Sequence, residues 1–236
     1  MDNAARSRTV VVTGAAGALG QAVAQYFRDE GARLALIDRD DAHLRAAFPG
    51  LADDERHGLF AADVTSEASM QAAVARIIAR FERVEVLVHV AGGFEMGEPV
   101  HGLTRASWER MMDLNAWSFV TATRDLIPHM LQHGNGRVIA VSARAAERGQ
   151  AAMAAYGASK SALQRLVEAL SNEVAARGIS VNSIAPTIMD TPANRQAMPQ
   201  ADRSTWVPTA MAARAIGFLA SEQGGWVHGQ HLVVGA

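Results

Sequence analysis

The sequence predicts an α/β fold, a parallel sheet with helices on both faces, and three observations carry that prediction. Short β-branched runs alternate with longer helical patterns from one end of the chain to the other, the pattern of strand–helix–strand units. The run VEVLVHVAG (84–92) is apolar without alternation, as a central parallel strand buried on both faces must be. No Gly/Ser/Pro-rich linker and no repeat divides the 236 residues, so 1–236 reads as one domain.

The elements follow in order. TVVVTG (9–14) is the first strand, and GQAVAQYFRDEG is a helix closed by Gly31. ARLALID (32–38) and LFAADV (59–64) are the second and third strands. Ser66 opens a helix in which Met70, Val74, Ile77, Ile78 and Phe81 follow the 3.6-residue period. After the central strand, Thr104 to about His133 reads as one or two helices bent at Pro128. GRVIAVS (136–142) is the fifth strand. From about Met153 to Arg177, Leu163, Leu166, Val167, Leu170 and Val174 form one apolar stripe. ISVNSIA (179–185) and HLVV (231–234) are the last strands. Residues 189–208 show no clear period, and a long irregular segment in a compact domain is the usual form of a lid over a binding site.

Composition narrows the function. Apolar residues make up 49% of the chain, enough for a large core, and the formal charge of −2 is spread over interspersed acids and bases. That distribution contains neither a basic footprint for nucleic acid nor a polybasic membrane patch. There is no cysteine, which excludes disulfides, thiolate metal sites and a cysteine nucleophile. The eight histidines show no metal-ligand spacing, and His228 and His231 read as surface or interface residues. The first residues lead straight into a strand without a signal-peptide apolar stretch, and no apolar run is long enough to span a bilayer. A soluble, cytoplasmic protein with a small-molecule substrate is expected.

Two ends of the expected sheet carry chemistry-bearing motifs. TGAAGALG (13–20) sits between the first strand and the first helix. Gly14, Gly17 and Gly20 there permit a tight turn and close approach of a pyrophosphate to a helix N-terminus, or simply a tight strand–helix turn. Asp38 ends the second strand, where a carboxylate accepts from an adenosine ribose and repels a 2′-phosphate. NAD(H) is therefore expected over NADP(H); Arg39 beside it either softens that preference or is solvated. Asp63-Val64 could bracket an adenine, or Asp63 could cap the next helix. Ala91-Gly92-Gly93 offers a wall without side chains, or a plain turn. Tyr156 and Lys160 are i and i+4, on one helix face. An ammonium there, with a nicotinamide cation when oxidised cofactor is bound, favours the phenolate and tunes the tyrosine toward proton exchange near neutral pH.

With TGAAGALG, Asp63-Val64, VAGG, Asn115 in MMDLNAWSF, YGASK, the proline of SIAPT and the terminal HGQHLVV in this order, the chain resembles the short-chain dehydrogenase/reductase family over nearly its whole length. The resemblance implies a Rossmann fold with a doubly wound, seven-stranded parallel sheet, assembled as a homodimer or homotetramer. It also implies a catalytic set of Asn115, a serine, Tyr156 and Lys160, and a cofactor site that takes in Leu19, Pro186 and Ile188. Asn115 would match the asparagine that holds a relay water near Lys160; otherwise it bends its helix.

Three positions depart from the family pattern. Ala18 stands where a glycine is usual, and His89 stands where an asparagine is usual. Ala143 occupies the position of the catalytic serine. Ser142, one residue earlier on a strand, points to the opposite face unless a bulge turns it. Losing one donor to a developing oxyanion costs about 100- to 1000-fold in rate. The dihydropteridine reductase branch resembles this chain in lacking that serine, in VAGGF (90–94), in SARAA (142–146) and in DTPANRQAMPQADRSTW (190–206). That likeness implies hydride transfer from NADH to a quinonoid dihydropterin, with Phe94, Ala143, Met198 and Trp206 beside the substrate. Three readings follow: a dehydrogenase/reductase of small carbonyls and alcohols with Tyr156 as proton donor and acceptor, a pterin reductase, and an NAD(H)-binding regulator without catalysis.

Overall fold

The computed structural model describes residues 8–51 and 54–235. The expected lead into the first strand, residues 1–7, lies outside them. The strands β1 (Thr9–Thr13), β2 (Arg33–Asp38), β3 (His57–Ala61), β4 (Val86–His89), β5 (Gly136–Val141), β6 (Ile179–Pro186) and β9 (His231–Val234) form one sheet in the order β3-β2-β1-β4-β5-β6-β9. Each of its pairings is parallel. The order reverses between β1 and β4, and the ends of strands flanking such a switch point form a ligand-binding crevice.

Continuous apolar strands feed two cores, because alternate side chains leave opposite faces. Val10, Val12, Leu34, Leu36, Val86 and Val88 pack with helix α1 (Ala18–Asp29) and helix α9 (Thr209–Leu219). Val11, Ala35, Ile37, Leu87 and Val138 pack with α3 (Glu67–Phe81), α5 (Ser118–Arg124), α6 (Leu126–His133) and α7 (Ala154–Val174). Ser66 caps α3 by accepting from the Ser69 N–H, as its sequence position predicts.

The elements differ from expectation in four places. β3 runs His57–Ala61 rather than 59–64, so Asp63 and Val64 lie beyond the strand. Helix α2 (Asp41–Ala47), capped by Asp40, has no counterpart in the sequence reading; at seven residues it is too short for its period to register. Between Thr104 and His133 the chain forms α4 (Arg105–Met112), a π turn (Asp113–Trp117), α5 and α6. The break falls at Asp125, one turn before Pro128, because the proline has no N–H for the Arg124 carbonyl. Residues 189–208 are ordered: β7 (Met189–Asp190) pairs with β8 (Val207–Pro208), and between them Thr191 caps α8 (Pro192–Ala197).

Candidate active site

The three glycines after β1 differ in what they are for. Gly14 has φ +64, and a Cβ there would stand 2.8 Å from the Ala91 backbone. A Cβ on Gly20 would stand 2.2 Å from the Gly14 carbonyl oxygen. Both are demanded by packing. Gly17 is exposed, has φ −69, and would bring a Cβ no nearer than 3.5 Å to anything. Nothing in the fold requires a glycine there. It is the N-cap of α1, which starts without a side-chain cap, so the first-turn amides keep their donors for an approaching acceptor. These residues fit a dinucleotide pyrophosphate.

Asp38 closes over the same loop. Its Oδ2 accepts from the Ala16 N–H at 2.9 Å and its Oδ1 from the Arg39 N–H at 2.8 Å, which ties the carboxylate to the glycine loop. Arg39 is exposed. Ser66, not Asp63, caps α3; Asp63 accepts from the backbone and hydroxyl of Thr65, which hold its carboxyl below the usual range. Leu19 and Val64 bury their side chains in the two cores, so each can meet a ligand through its main chain alone. Pro186 is buried at the end of β6, and Ile188 beyond it is exposed.

Past β4, the expected bare wall of Ala91-Gly92-Gly93 has a second cause. A Cβ on Gly92 would stand 2.8 Å from Asn115 Oδ1 and 3.0 Å from Lys160 Nζ, and one on Gly93 would stand 2.6 Å from Leu114. These glycines admit the catalytic candidates to the strand end. Asn115, fully buried in the π turn, accepts from the Gly93 N–H and donates to the Gly93 carbonyl and to Ser159 Oγ. A π turn inserts one residue into a helical turn and is frequent at functional sites. Here it turns Asn115 onto the segment after β4.

Lys160 is only 5% exposed and donates from Nζ to the Val141 carbonyl at 2.9 Å. Burial pulls its ammonium down to about 8 and pushes the Tyr156 phenol up to about 12. In the chain alone this differs from the sequence reading, in which the ammonium and an oxidised nicotinamide together favour the phenolate. Withdrawal from water disfavours the charged form of both groups. In the chain alone Tyr156 is a protonated phenol at neutral pH. Phe94 lies edge-on to it, ring centroids 4.9 Å apart, and is itself 59% exposed.

The other candidates separate. Ala143 is buried after β5, and its methyl offers no hydrogen bond. Ser142 donates to the Lys160 carbonyl at 3.4 Å, which engages its hydroxyl on the main chain of α7. Trp206 is buried under the Arg203 guanidinium rather than lining an open pocket, because the short β7–β8 pairing folds it inward. Met198 ends α8 and is half-buried, with no contact to Tyr156 or Phe94 among those described. His231 is not a surface residue: it lies half-buried between Ser183 Oγ and Glu168. Among the described residues no group of His, Asp or Glu could hold a metal, and no helix is long and apolar enough to cross a membrane. Thr13, Ser118 and Ser159, which brace this site, carry no sequence signal; each is a lone hydroxyl whose side-chain partner lies 29 or more positions away.

The sequence profile described as short chain dehydrogenase matches residues 8–202. The chain is 33% identical to cis-4-hydroxycyclohexanecarboxylate dehydrogenase of Sinomonas cyclohexanicum, over 99% of this chain and 97% of that one. It is 30% identical to cyclopentanol dehydrogenase of Comamonas testosteroni, over 96% and 95%. Among solved structures, the 3-ketoacyl-(acyl-carrier-protein) reductase from Brucella melitensis complexed with NADH superposes with a TM-score of 0.86 at 26% identity, covering 97% of this chain and 96% of that one. Nothing in these likenesses points to the dihydropteridine reductase branch. With the glycine loop, Tyr156, Lys160 and Asn115 gathered at the switch point of a seven-stranded parallel sheet, the chain belongs to the short-chain dehydrogenase family and is an oxidoreductase.

Proposed function

We propose that the protein interconverts a secondary alcohol and its ketone on a small, apolar, ring-shaped molecule, with NAD(H) as cofactor and Tyr156 as the proton-exchanging group. The observation that carries this reading is the Tyr156 phenol, flanked by the exposed ring of Phe94 and one turn from buried Lys160. Relatives named for cyclopentanol and a hydroxycyclohexanecarboxylate support the substrate class.

When bound, the nicotinamide supplies or takes the hydride and, oxidised, adds a positive charge to the site. The chain's own residues do the rest. A protonated phenol can donate to a carbonyl oxygen as the carbonyl is reduced, and general acid catalysis of this kind contributes about 100- to 10,000-fold. Phe94 presents an apolar edge to the substrate ring and keeps water from one side of the phenol. Asn115 holds the Gly93 backbone, fixing the floor of the site. Asp38 sets the preference for NAD(H), because a 2′-phosphate beside that carboxylate costs several kcal/mol. Residues 189–208 act as the lid.

The test is a panel of cyclic ketones, cyclic alcohols and quinonoid dihydropterin, with NADH or NAD+, followed by cofactor absorbance. Turnover of cyclic ketones, lost in Tyr156→Phe while NADH still binds, is expected. Turnover that survives Tyr156→Phe would remove the proton donor from this account, and a preference for NADPH would overturn the role of Asp38. The pterin arm matters because Ala143 leaves no hydroxyl for a carbonyl oxygen; turnover there alone would replace the carbonyl reading.

A further inference from the structure

His89 is the last residue of β4 and has no solvent exposure. Both ring nitrogens are engaged: Nδ1 lies 2.9 Å from Thr13 Oγ1 and Nε2 lies 3.0 Å from Ser118 Oγ. The neighbouring bonds determine which way the protons run. In the π turn the Ser118 N–H reaches back five residues to the Asp113 carbonyl, and the Ser118 hydroxyl donates to the Leu114 carbonyl at 2.7 Å. With its proton committed, Ser118 Oγ can only accept from His89, so Nε2 carries the hydrogen. Nδ1 is then an acceptor, the Thr13 hydroxyl donates to it, and a Thr13 lone pair is free for the Ala91 N–H at 3.3 Å. One unbroken chain runs from the Ala91 amide through Thr13, His89 and Ser118 to Leu114.

The two ends of that chain are the two segments that build the site. Ala91 leads into Gly92 and Gly93, whose lack of side chains admits Asn115 and Lys160. Leu114 immediately precedes Asn115 in the π turn. We infer that His89 is a positioning residue: a neutral imidazole, hydrogen on Nε2, whose Nδ1 side registers the cofactor-facing Ala91–Gly93 segment and whose Nε2 side registers the turn that carries Asn115. The inference rests on Tyr156, Lys160 and Asn115 being the reaction centre, but its spectroscopic arm does not.

Two substitutions divide the clamp. His89→Asn places an amide oxygen where Nδ1 stands and loses the reach to Ser118. His89→Gln places an amide N–H where Nε2 stands and loses Thr13. Misplacing a reacting group by about 1 Å can cost on the order of 100-fold in rate. The Asn variant is therefore expected to lower kcat by about that much while the NADH dissociation constant, measured by fluorescence titration, stays within about twofold. The Gln variant is expected to weaken NADH about tenfold or more with a smaller loss in kcat. A residue that only supported the fold would move both quantities alike in both variants, and that result overturns the assignment. Independently, nitrogen-15 spectra of the imidazole in the full wild-type chain are expected to show a pyridine-like Nδ1 and a protonated Nε2 at neutral pH. The reverse tautomer, or a charged ring, refutes the clamp even if the variants do not fold or no substrate is turned over; the expected tautomer with no turnover on any substrate leaves the clamp standing and counts against the catalytic reading alone.

Discussion

Acidification should unfold this protein through its buried histidines before its carboxylates titrate. Burial lowers the pKa of His57, His89 and His129, and that of His89 falls to about 3. His57 Nδ1 accepts from the Leu34 N–H and His129 Nε2 from the Val84 N–H, so protonation at those nitrogens also breaks a buried hydrogen bond. The sign is fixed by which state binds the proton. Above the unfolded value of 6.5 neither state is protonated and the histidines contribute no pH dependence. Below it the unfolded chain takes up a proton that the folded chain refuses, so stability falls as pH falls, and for His89 the loss is complete only near pH 3. Between its unfolded and folded values His89 contributes a slope of up to ~1.4 kcal/mol per pH unit. From pH 6.5 to about 5, His89 alone removes ~2 kcal/mol, against a total of about 5–15 kcal/mol for an ordinary domain. The assay is urea unfolding at a series of pH values from 7.5 to about 5, a window above the ordinary carboxylate values of roughly 4. The midpoint should drop steadily, and His89→Gln should flatten the slope by about one proton. A midpoint constant across that window would show that the buried histidines do not resist protonation, and the reasoning would fail.

The glycine loop offers a contrast between packing and ligand contact. Gly20→Ala should destabilise the fold by about 1–3 kcal/mol, since its Cβ meets backbone at 2.2 Å; Gly17→Ala should leave the melting temperature unchanged yet weaken NADH, as read by calorimetry. Equal effects on stability would erase the distinction. Ala143→Ser should raise kcat/KM for a ketone by about 100-fold, the low side of what one oxyanion donor is worth; no change would mean the carbonyl does not lie against that position. Ser142→Ala should leave kcat within about twofold, because its hydroxyl is bonded to the Lys160 carbonyl; a large loss would place it at the reacting atoms.

What the sequence determined by itself is whatever repeats or sits at a local junction. Strand–helix alternation, the glycine loop between β1 and α1, Asp38 at the end of β2, and Tyr156 and Lys160 on one face of α7 are all legible because a period of 2 or 3.6 and a strand end are local properties. Element ends shifted by up to three residues, and α2 went unseen because seven residues carry too little pattern. The tertiary structure alone decided the rest. Asn115 gains its place from a π turn, which has no distinctive composition and is selected by what it packs against. The protonation of Tyr156 and Lys160 is set by burial, which depends on Val141, Phe94 and the sheet end rather than on their four-residue spacing. Ser142 and Trp206 take their partners, the Lys160 carbonyl and the Arg203 guanidinium, from contacts that no local pattern identifies. His89 shows the division most clearly: as a letter it is a departure from a family pattern, and its meaning resides in Thr13, 76 positions before it, and Ser118, 29 positions after it. Periodicity reports which face of an element is apolar, but hydrogen bonds and desolvation depend on which distant groups the fold brings within reach.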